Sequence, residues 1–301
     1  MIKGVVEAAL AALLGNRVAM QRLRGRRLIL AYHTIIPTGS APVGDRSLHL
    51  PLAEFAAQLD VVQEHADVVS LEALNEAPSR EPLRPQVIIT FDDAYAGAMS
   101  LGIPELVRRG LPATVFVAPA LLEQRAFWWD RLANPTTGEL DARIRHTALE
   151  RYAGHDEAIM TWAAQQRLPV CDPPAIARGA TLADLADAAA LPGITFGAHS
   201  WSHPNMARVS GAELVAQLRD PFTWLAERFA SRTLAALAYP YGLFLPETES
   251  AARAAGFRYT LQVHGGWCTA HANPQQPLPR LNVPAGMSTP RFRLHLAGFA
   301  L

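Results

Sequence analysis

Residues 87–93 read VIITFDD, a run of apolar and β-branched residues that passes directly into two aspartates. Such a run is typical of a strand buried on both faces, as in a parallel sheet. Asp92 and Asp93 then lie at the carboxyl end of that strand, which is the edge where α/β folds bind their ligands. Two carboxylates are costly to bury there unless a ligand uses them. The alternative is a plain pair of helix N-cap residues.

The same strand–helix alternation extends over most of the chain. Strands are predicted at 28–32, 68–69, 87–90, 113–117, 194–198, 237–239, 259–263 and 281–283. Amphipathic helices are predicted between them, at 52–65, 103–109, 211–229 and 247–255. Alternating strands and helices predict parallel βαβ units, and seven or so such units favour a barrel over an open sheet.

Residues 121–191 break this alternation and are interpreted as a mostly helical insertion within one domain that spans 28–301. Insertions on the carboxyl side of barrel strands line the active site. The insertion contains Phe127-Trp128-Trp129-Asp130. We expect one of the adjacent tryptophans, Trp128 and Trp129, to pack and the other to stack on a ligand such as a sugar ring; the alternative is that both are structural.

Histidines also follow predicted strands. His199 and His203 come directly after the strand at 194–198, and His33 follows the strand at 28–32. If the first pair turns helically, the two rings share a face and can bind one metal ion, although a chain with ten histidines produces such pairs by chance as well. With one aspartate they form a two-histidine, one-carboxylate site that leaves positions open for water and substrate. A lone histidine such as His33 is more often a core residue.

A tight turn is predicted at Tyr239-Pro240-Tyr241-Gly242, after the strand at 237–239. Such a turn can aim a backbone N–H at a developing oxyanion, although a plain turn explains the pattern equally well. Several independent strands whose carboxyl ends carry reactive groups give the geometry expected of a barrel active site.

Charge and composition exclude several classes of protein. The 301 residues include 27 basic and 27 acidic side chains, which excludes capture of nucleic acid by a broadly basic surface. A hydrophobic content of 50% excludes a disordered chain. Cys171 and Cys268 are the only cysteines, so neither a disulfide framework nor a four-cysteine zinc site is possible. Two free thiols fit a reducing compartment, although a single disulfide between the two cysteines is the alternative.

Residues 1–27 precede the first predicted strand and are expected to form an amphipathic helix. The apolar run at 5–14 is too short to cross a bilayer, which takes about 20 residues. Glu7 within that run does not fit a signal peptide, so we expect a cytoplasmic protein. The helix either docks on the protein body or lies on a membrane surface, in which case it is helped by Arg22, Arg24, Arg26 and Arg27.

Three motifs, taken in order, resemble those of the polysaccharide deacetylase family (NodB homology, carbohydrate esterase family 4). They are Thr90-Phe91-Asp92-Asp93, His199-Ser200-Trp201-Ser202-His203 and Ala238-Tyr239-Pro240-Tyr241-Gly242. The resemblance covers about residues 28–283 apart from the insertion. It implies a deformed (β/α)7 barrel and metal-dependent removal of N- or O-acetyl groups, mostly from N-acetylated glycans, and it favours a bacterial protein.

The resemblance also implies a role for each motif residue. Asp93, His199 and His203 would hold one divalent metal ion, with zinc as the default and cobalt, manganese or nickel compatible with these ligands. Asp92 would be the general base. The backbone N–H of Tyr241 would help to hold the oxyanion.

Two positions depart from the family pattern. Ala238 stands where the family has an arginine that steadies the catalytic aspartate, and the resemblance to the subgroup with Ala-Tyr-Pro-Tyr-Gly assigns that task to Arg280. The family's C-terminal Leu-x-His motif supplies the general acid but is matched poorly by Leu294-His295. The Tyr32-His33 strand is similar to that of circularly permuted members, in which the N-terminal strand supplies this histidine, and this favours His33 over His295.

Three functions remain open on the sequence alone. The first is metal-dependent deacetylation of an N-acetylated sugar in a polysaccharide or lipid-linked glycan. The second is deacetylation of a small-molecule amide such as an amino-sugar metabolite, with the insertion roofing the site. The third is a catalytically inactive glycan-binding module, against which the intact Asp92, Asp93, His199 and His203 argue.

Overall fold

The computed structural model describes Glu7 and residues 20–41, 44–75, 82–269 and 276–299. Within these residues the backbone forms one large sheet and one small two-stranded sheet. The strands are β1 (Arg26–Tyr32), β2 (Thr34–Ile36), β3 (His49–Pro51), β4 (Asp67–Val68), β5 (Gln86–Phe91), β6 (Ala113–Val117), β7 (Ile194–Ala198), β8 (Thr233–Ala238), β9 (Tyr259–Leu261), β10 (Cys268–Thr269) and β11 (Leu281–Asn282).

Helices surround the large sheet and fill its connections. They are α1 (Leu52–His65), α2 (Ile103–Arg108), α3 (Trp128–Arg131), α4 (Ala142–Arg151), α5 (Asp156–Gln165), α6 (Leu182–Ala190), α7 (Gly211–Phe229), α8 (Pro246–Ala254) and α9 (Thr289–Leu296). The predicted helices at 52–65 and 211–229 have these bounds, because their apolar residues recur on one face and pack against the sheet. No helix in the described ranges is long and apolar enough to span a membrane.

The large sheet follows the order β10-β1-β5-β6-β7-β8-β9, with β11 also paired to β1 and β4 to β5. Its pairs are parallel except for β1 with β10. In the β1–β5 pair, Tyr32 lies opposite Phe91. The next residue of each strand, His33 and Asp92, therefore lies at the same carboxyl edge.

The connection between β6 and β7 contains four helices, α3 to α6, at the place where the insertion is predicted. Trp128 and Trp129 of α3 and Ile159 of α5 belong to the same buried cluster as β5 and β6 residues. The insertion is thus packed onto the sheet that carries the strand-end residues. The predicted N-terminal helix at 1–27 lies outside the described residues, apart from Glu7 and residues 20–27, of which the last two begin β1.

Candidate active site

The carboxyl edge of the sheet brings most of the predicted site residues together. They come from β1, β5, β7 and the turn after β8, and they line one cavity of about 140 Å³. Its lining includes His33, Asp92, Asp93, Trp129, His199, His203 and Tyr241. The strand ends therefore converge as a barrel active site requires.

Asp93, His199 and His203 form a compact cluster of possible metal ligands. Asp93 Oδ1 lies 3.0 Å from His203 Nε2 and 3.4 Å from His199 Nε2. The two histidine nitrogens are 3.2 Å apart. All three residues are buried, so their facing polar atoms are shielded from bulk water.

The segment from His199 to His203 is not helical, which corrects the geometry considered from the sequence. Ser200 and His203 both have φ near +60°, in the left-handed region, and this interrupts any helical turn. Ser200 Oγ accepts the His203 backbone N–H, and the Gln217 side chain of α7 accepts those of Trp201 and Ser202. Side-chain hydrogen bonds, rather than helical spacing, bring the two rings together.

The hydrogen bonding of His199 shows which of its nitrogens can bind a cation. Its Nδ1 lies 2.7 Å from the carbonyl oxygen of Ala238, and a carbonyl only accepts. Nδ1 therefore carries the proton, and in the neutral ring the lone pair lies on Nε2, which faces Asp93. Asp93 Oδ1 is buried without a hydrogen-bond partner in the described part of the chain. An oxygen and two nitrogens arranged in this way fit a divalent metal ion.

Asp92 lies beside this cluster and is held by Arg280. Both guanidinium Nη atoms donate to the carboxylate, each at 2.7 Å, and the Arg280 side chain is fully buried. Burial alone raises the pKa of Asp92, but Arg280, His199 and His33 outweigh it, so that this pKa lies below its usual value. The structure thus places Arg280 where it can keep Asp92 ionised. Ala238 stands at the position where the resemblance implies an arginine. Its backbone carbonyl instead accepts a hydrogen bond from His199.

Arg280→Met is expected to destabilise the fold by about 3 kcal/mol, because it leaves the buried Asp92 carboxylate without its partner. Chemical denaturation at neutral pH in the presence of a chelator measures this change without a contribution from metal. The matched control is Arg84→Met, which breaks an exposed ion pair with Asp67 and should cost less than about 1 kcal/mol. Equal losses in the two variants would contradict a structural role for the Arg280–Asp92 pair.

Tyr241 occupies a strained turn at the rim of the cavity. Its φ is +57°, and Asp93 and Ala94 also have positive φ. Left-handed residues other than glycine cost free energy and cluster at functional sites. The Tyr241 ring contacts that of His203, and its hydroxyl accepts a hydrogen bond from Trp128 Nε1 at 3.0 Å.

The other predicted site residues take different places. Trp129 lines the cavity, whereas Trp128 is 1% exposed and lies outside the cavity lining, so the structure does not bring it to the substrate side. His295 lies in α9 and lines a separate cavity with Leu28 and Trp267. It is therefore not brought to the cluster, whereas His33 is.

Sequence reasoning missed three polar residues that line the cavity, Ser47, Arg145 and Asn282, and two apolar ones, Leu48 and Val263. Asn282 had a usable signal, because it follows Leu281 in a predicted strand that ends at the same edge, and it pairs with Ala31 of β1. Ser47 lies in a short 3-10 helix (Arg46–Leu48) and Arg145 lies on α4, and their sequence neighbourhoods contain no reactive pattern.

Solved structures with the same fold come from bacterial deacetylases. The PplD deacetylase of Streptococcus pyogenes, in complex with acetate, is 18% identical, with 91% of this chain and 99% of that chain covered and a TM-score of 0.60. IcaB from Ammonifex degensii is 18% identical over 91% and 97%, with a TM-score of 0.62. BC0361, a polysaccharide deacetylase from Bacillus cereus, is 11% identical over 91% and 69%, with a TM-score of 0.62. The predicted deformed barrel is confirmed.

Fold and site together define an α/β barrel with buried carboxylates and histidines at the carboxyl ends of its strands. The family model described as polysaccharide deacetylase matches residues 79–260. This chain therefore belongs to the polysaccharide deacetylase family. A search of curated proteins finds no match.

Proposed function

We propose that this protein is a metal-dependent hydrolase that removes the acetyl group from an amino sugar of a glycan and releases acetate. The observation that carries the proposal is the buried cluster of Asp93, His199 and His203 beside the Asp92–Arg280 pair. Family membership supports deacetylation, and the ligand set supports a zinc-like ion, with cobalt, manganese or nickel compatible.

The steps of this reaction follow from residues of the chain. A divalent ion, when bound, lowers the pKa of a water molecule and polarises the acetyl carbonyl. Asp92, kept ionised by Arg280, accepts a proton from the attacking water. The Tyr241 backbone N–H stabilises the negative charge that develops on the carbonyl oxygen as water attacks the carbonyl carbon. His33 donates a proton to the departing amine, so that acetate and a free amino sugar result.

The shape of the site supports a glycan over a small amide. The cavity of about 140 Å³ is well below the size of typical ligand pockets, about 300 Å³ or more, and suits the acyl group alone. A groove of about 850 Å³ adjoins it and shares Ser47 and Arg145 with it. In this arrangement the acetyl group enters the small cavity and the sugar units lie in the groove.

The test measures acetate release from N-acetylglucosamine and its oligomers of two to five units, before and after removal of metal with a chelator. We expect activity to be lost on chelation and restored by zinc or cobalt, with kcat/KM at least tenfold higher for the oligomers. An O-acetylated oligomer separates amide from ester hydrolysis.

Each contrary result selects another function. Equal kcat/KM for monomer and oligomers would favour a small-molecule deacetylase. A purified protein that binds no metal, and that added zinc or cobalt does not activate, would favour an inactive glycan-binding module.

A further inference from the structure

The two histidines of the cluster are held in different ways. The second ring nitrogen of a metal-binding histidine usually donates an N–H hydrogen bond to a carboxylate or carbonyl, which fixes the ring orientation. His199 does so through the Ala238 carbonyl. His203 Nδ1 is buried and has no hydrogen-bond partner among the residues that the structure describes. On the Nδ1 side, the orientation of the His203 ring therefore depends on contacts other than a hydrogen bond.

Aromatic rings provide that contact. The Trp129 indole lies 4.9 Å from the His203 ring, centroid to centroid, and the Tyr241 ring lies 4.5 Å from it in an edge-to-face arrangement. Trp129 and Tyr241 also contact each other, at 5.9 Å and 86°. Rigid aromatic faces of this kind restrict the rotation of the imidazole between them.

Trp129 is fixed in turn by a chain of buried hydrogen bonds. Its Nε1–H donates to the Tyr95 hydroxyl at 2.7 Å, and that hydroxyl donates to Asp130 Oδ2 at 2.7 Å. The other oxygen, Asp130 Oδ1, accepts the Asp45 backbone N–H at 2.8 Å and lies 3.0 Å from His49 Nε2. Both oxygens of this fully buried carboxylate thus have hydrogen-bond partners. The chain of hydrogen bonds from Trp129 therefore ends on a side chain that is itself held in place.

We infer that Trp129, anchored through Tyr95 to Asp130, is a positioning residue that orients the His203 ring for metal binding. The inference rests on the proposed metal-dependent function. It gives the helical insertion a second task, because Trp129 and Asp130 belong to α3. The insertion then supports a metal ligand from outside the strand ends and also forms part of the cavity wall.

Tyr95→Phe tests this most directly, because it removes one hydroxyl and leaves Trp129 and His203 unchanged. We expect the zinc dissociation constant, measured by chelator competition, to rise at least about tenfold, as for other outer-shell partners of metal ligands. Trp129→Phe, which keeps an aromatic ring but lacks the N–H, should weaken zinc binding to a similar extent, and Trp129→Ala more strongly. Visible absorption of the cobalt-loaded protein should change in the same order.

The matched control is Tyr239→Phe. Its hydroxyl is also bonded to a carboxylate, Glu249 Oε2 at 2.6 Å, but does not reach the Trp129–His203 contact. We expect it to lower the unfolding temperature of the metal-free protein about as much as Tyr95→Phe does, with zinc affinity unchanged. If Tyr95→Phe does not fold, the zinc affinity of Trp129→Phe tests the inference.

Wild-type zinc affinity in both Tyr95→Phe and Trp129→Phe overturns the inference and leaves the proposed function intact. An equal loss of affinity in Tyr239→Phe also overturns it, since the effect would then be general destabilisation. A wild-type protein that binds neither zinc nor cobalt overturns the proposed function together with the inference.

Discussion

Asp92→Asn is expected to lower kcat for acetate release by about 10³-fold while the protein still binds its metal ion. Asparagine has nearly the shape of aspartate but cannot take a proton from water at neutral pH. One of the two carboxylate oxygens is replaced by an NH2 group, which cannot accept from Arg280, so that one of the two 2.7 Å hydrogen bonds is lost. The expected loss is therefore in kcat, with KM nearly unchanged.

Asp93→Asn is the matched comparison, because it makes the same chemical change one residue along the chain. It removes the charge that faces His199 Nε2 and His203 Nε2, so both metal content and activity should fall. Metal content is read by elemental analysis of the dialysed proteins. The division of roles is refuted if Asp92→Asn loses the metal or keeps more than a tenth of the wild-type kcat.

The sequence predicts the strand ends well because each reactive motif directly follows a buried apolar strand. Once β1 and β5 pair in parallel, the register of Tyr32 with Phe91 brings His33 and Asp92 to one edge. The predicted strand bounds are sufficient for that step, because the residue that directly follows each parallel strand lies at the shared carboxyl edge.

Contacts that depend on the insertion are not predictable in the same way. Nothing in Phe127-Trp128-Trp129-Asp130 indicates that Asp130 meets His49 and Tyr95, since these partners lie 81 and 35 residues away. The bend at His199–His203 depends on left-handed backbone at Ser200 and His203, for which neither residue type has a strong local preference. Tertiary packing decides both features.

His33→Ala is expected to keep the metal ion and the fold but to lose about 10²-fold or more of its activity on an N-acetylated sugar. An amine is a poor leaving group unless it is protonated as the C–N bond breaks, whereas a phenolate leaves without help. The same variant should therefore hydrolyse phenyl acetate within tenfold of the wild-type rate. His33 lines the cavity with Asp92 and Asp93 but is outside the ligand cluster, so its loss leaves the metal ligands in place.

The matched control is His295→Ala, since His295 is the other candidate for the general acid. It lies in α9 and lines a different cavity, so we expect wild-type rates on both substrates. The comparison of the amide and ester hydrolysis rates is decisive, because a general loss of folding or metal would lower both rates together. Amide hydrolysis that survives in His33→Ala and disappears in His295→Ala would move the proton donor to the C-terminal helix, and would require α9 to reach the cavity during turnover.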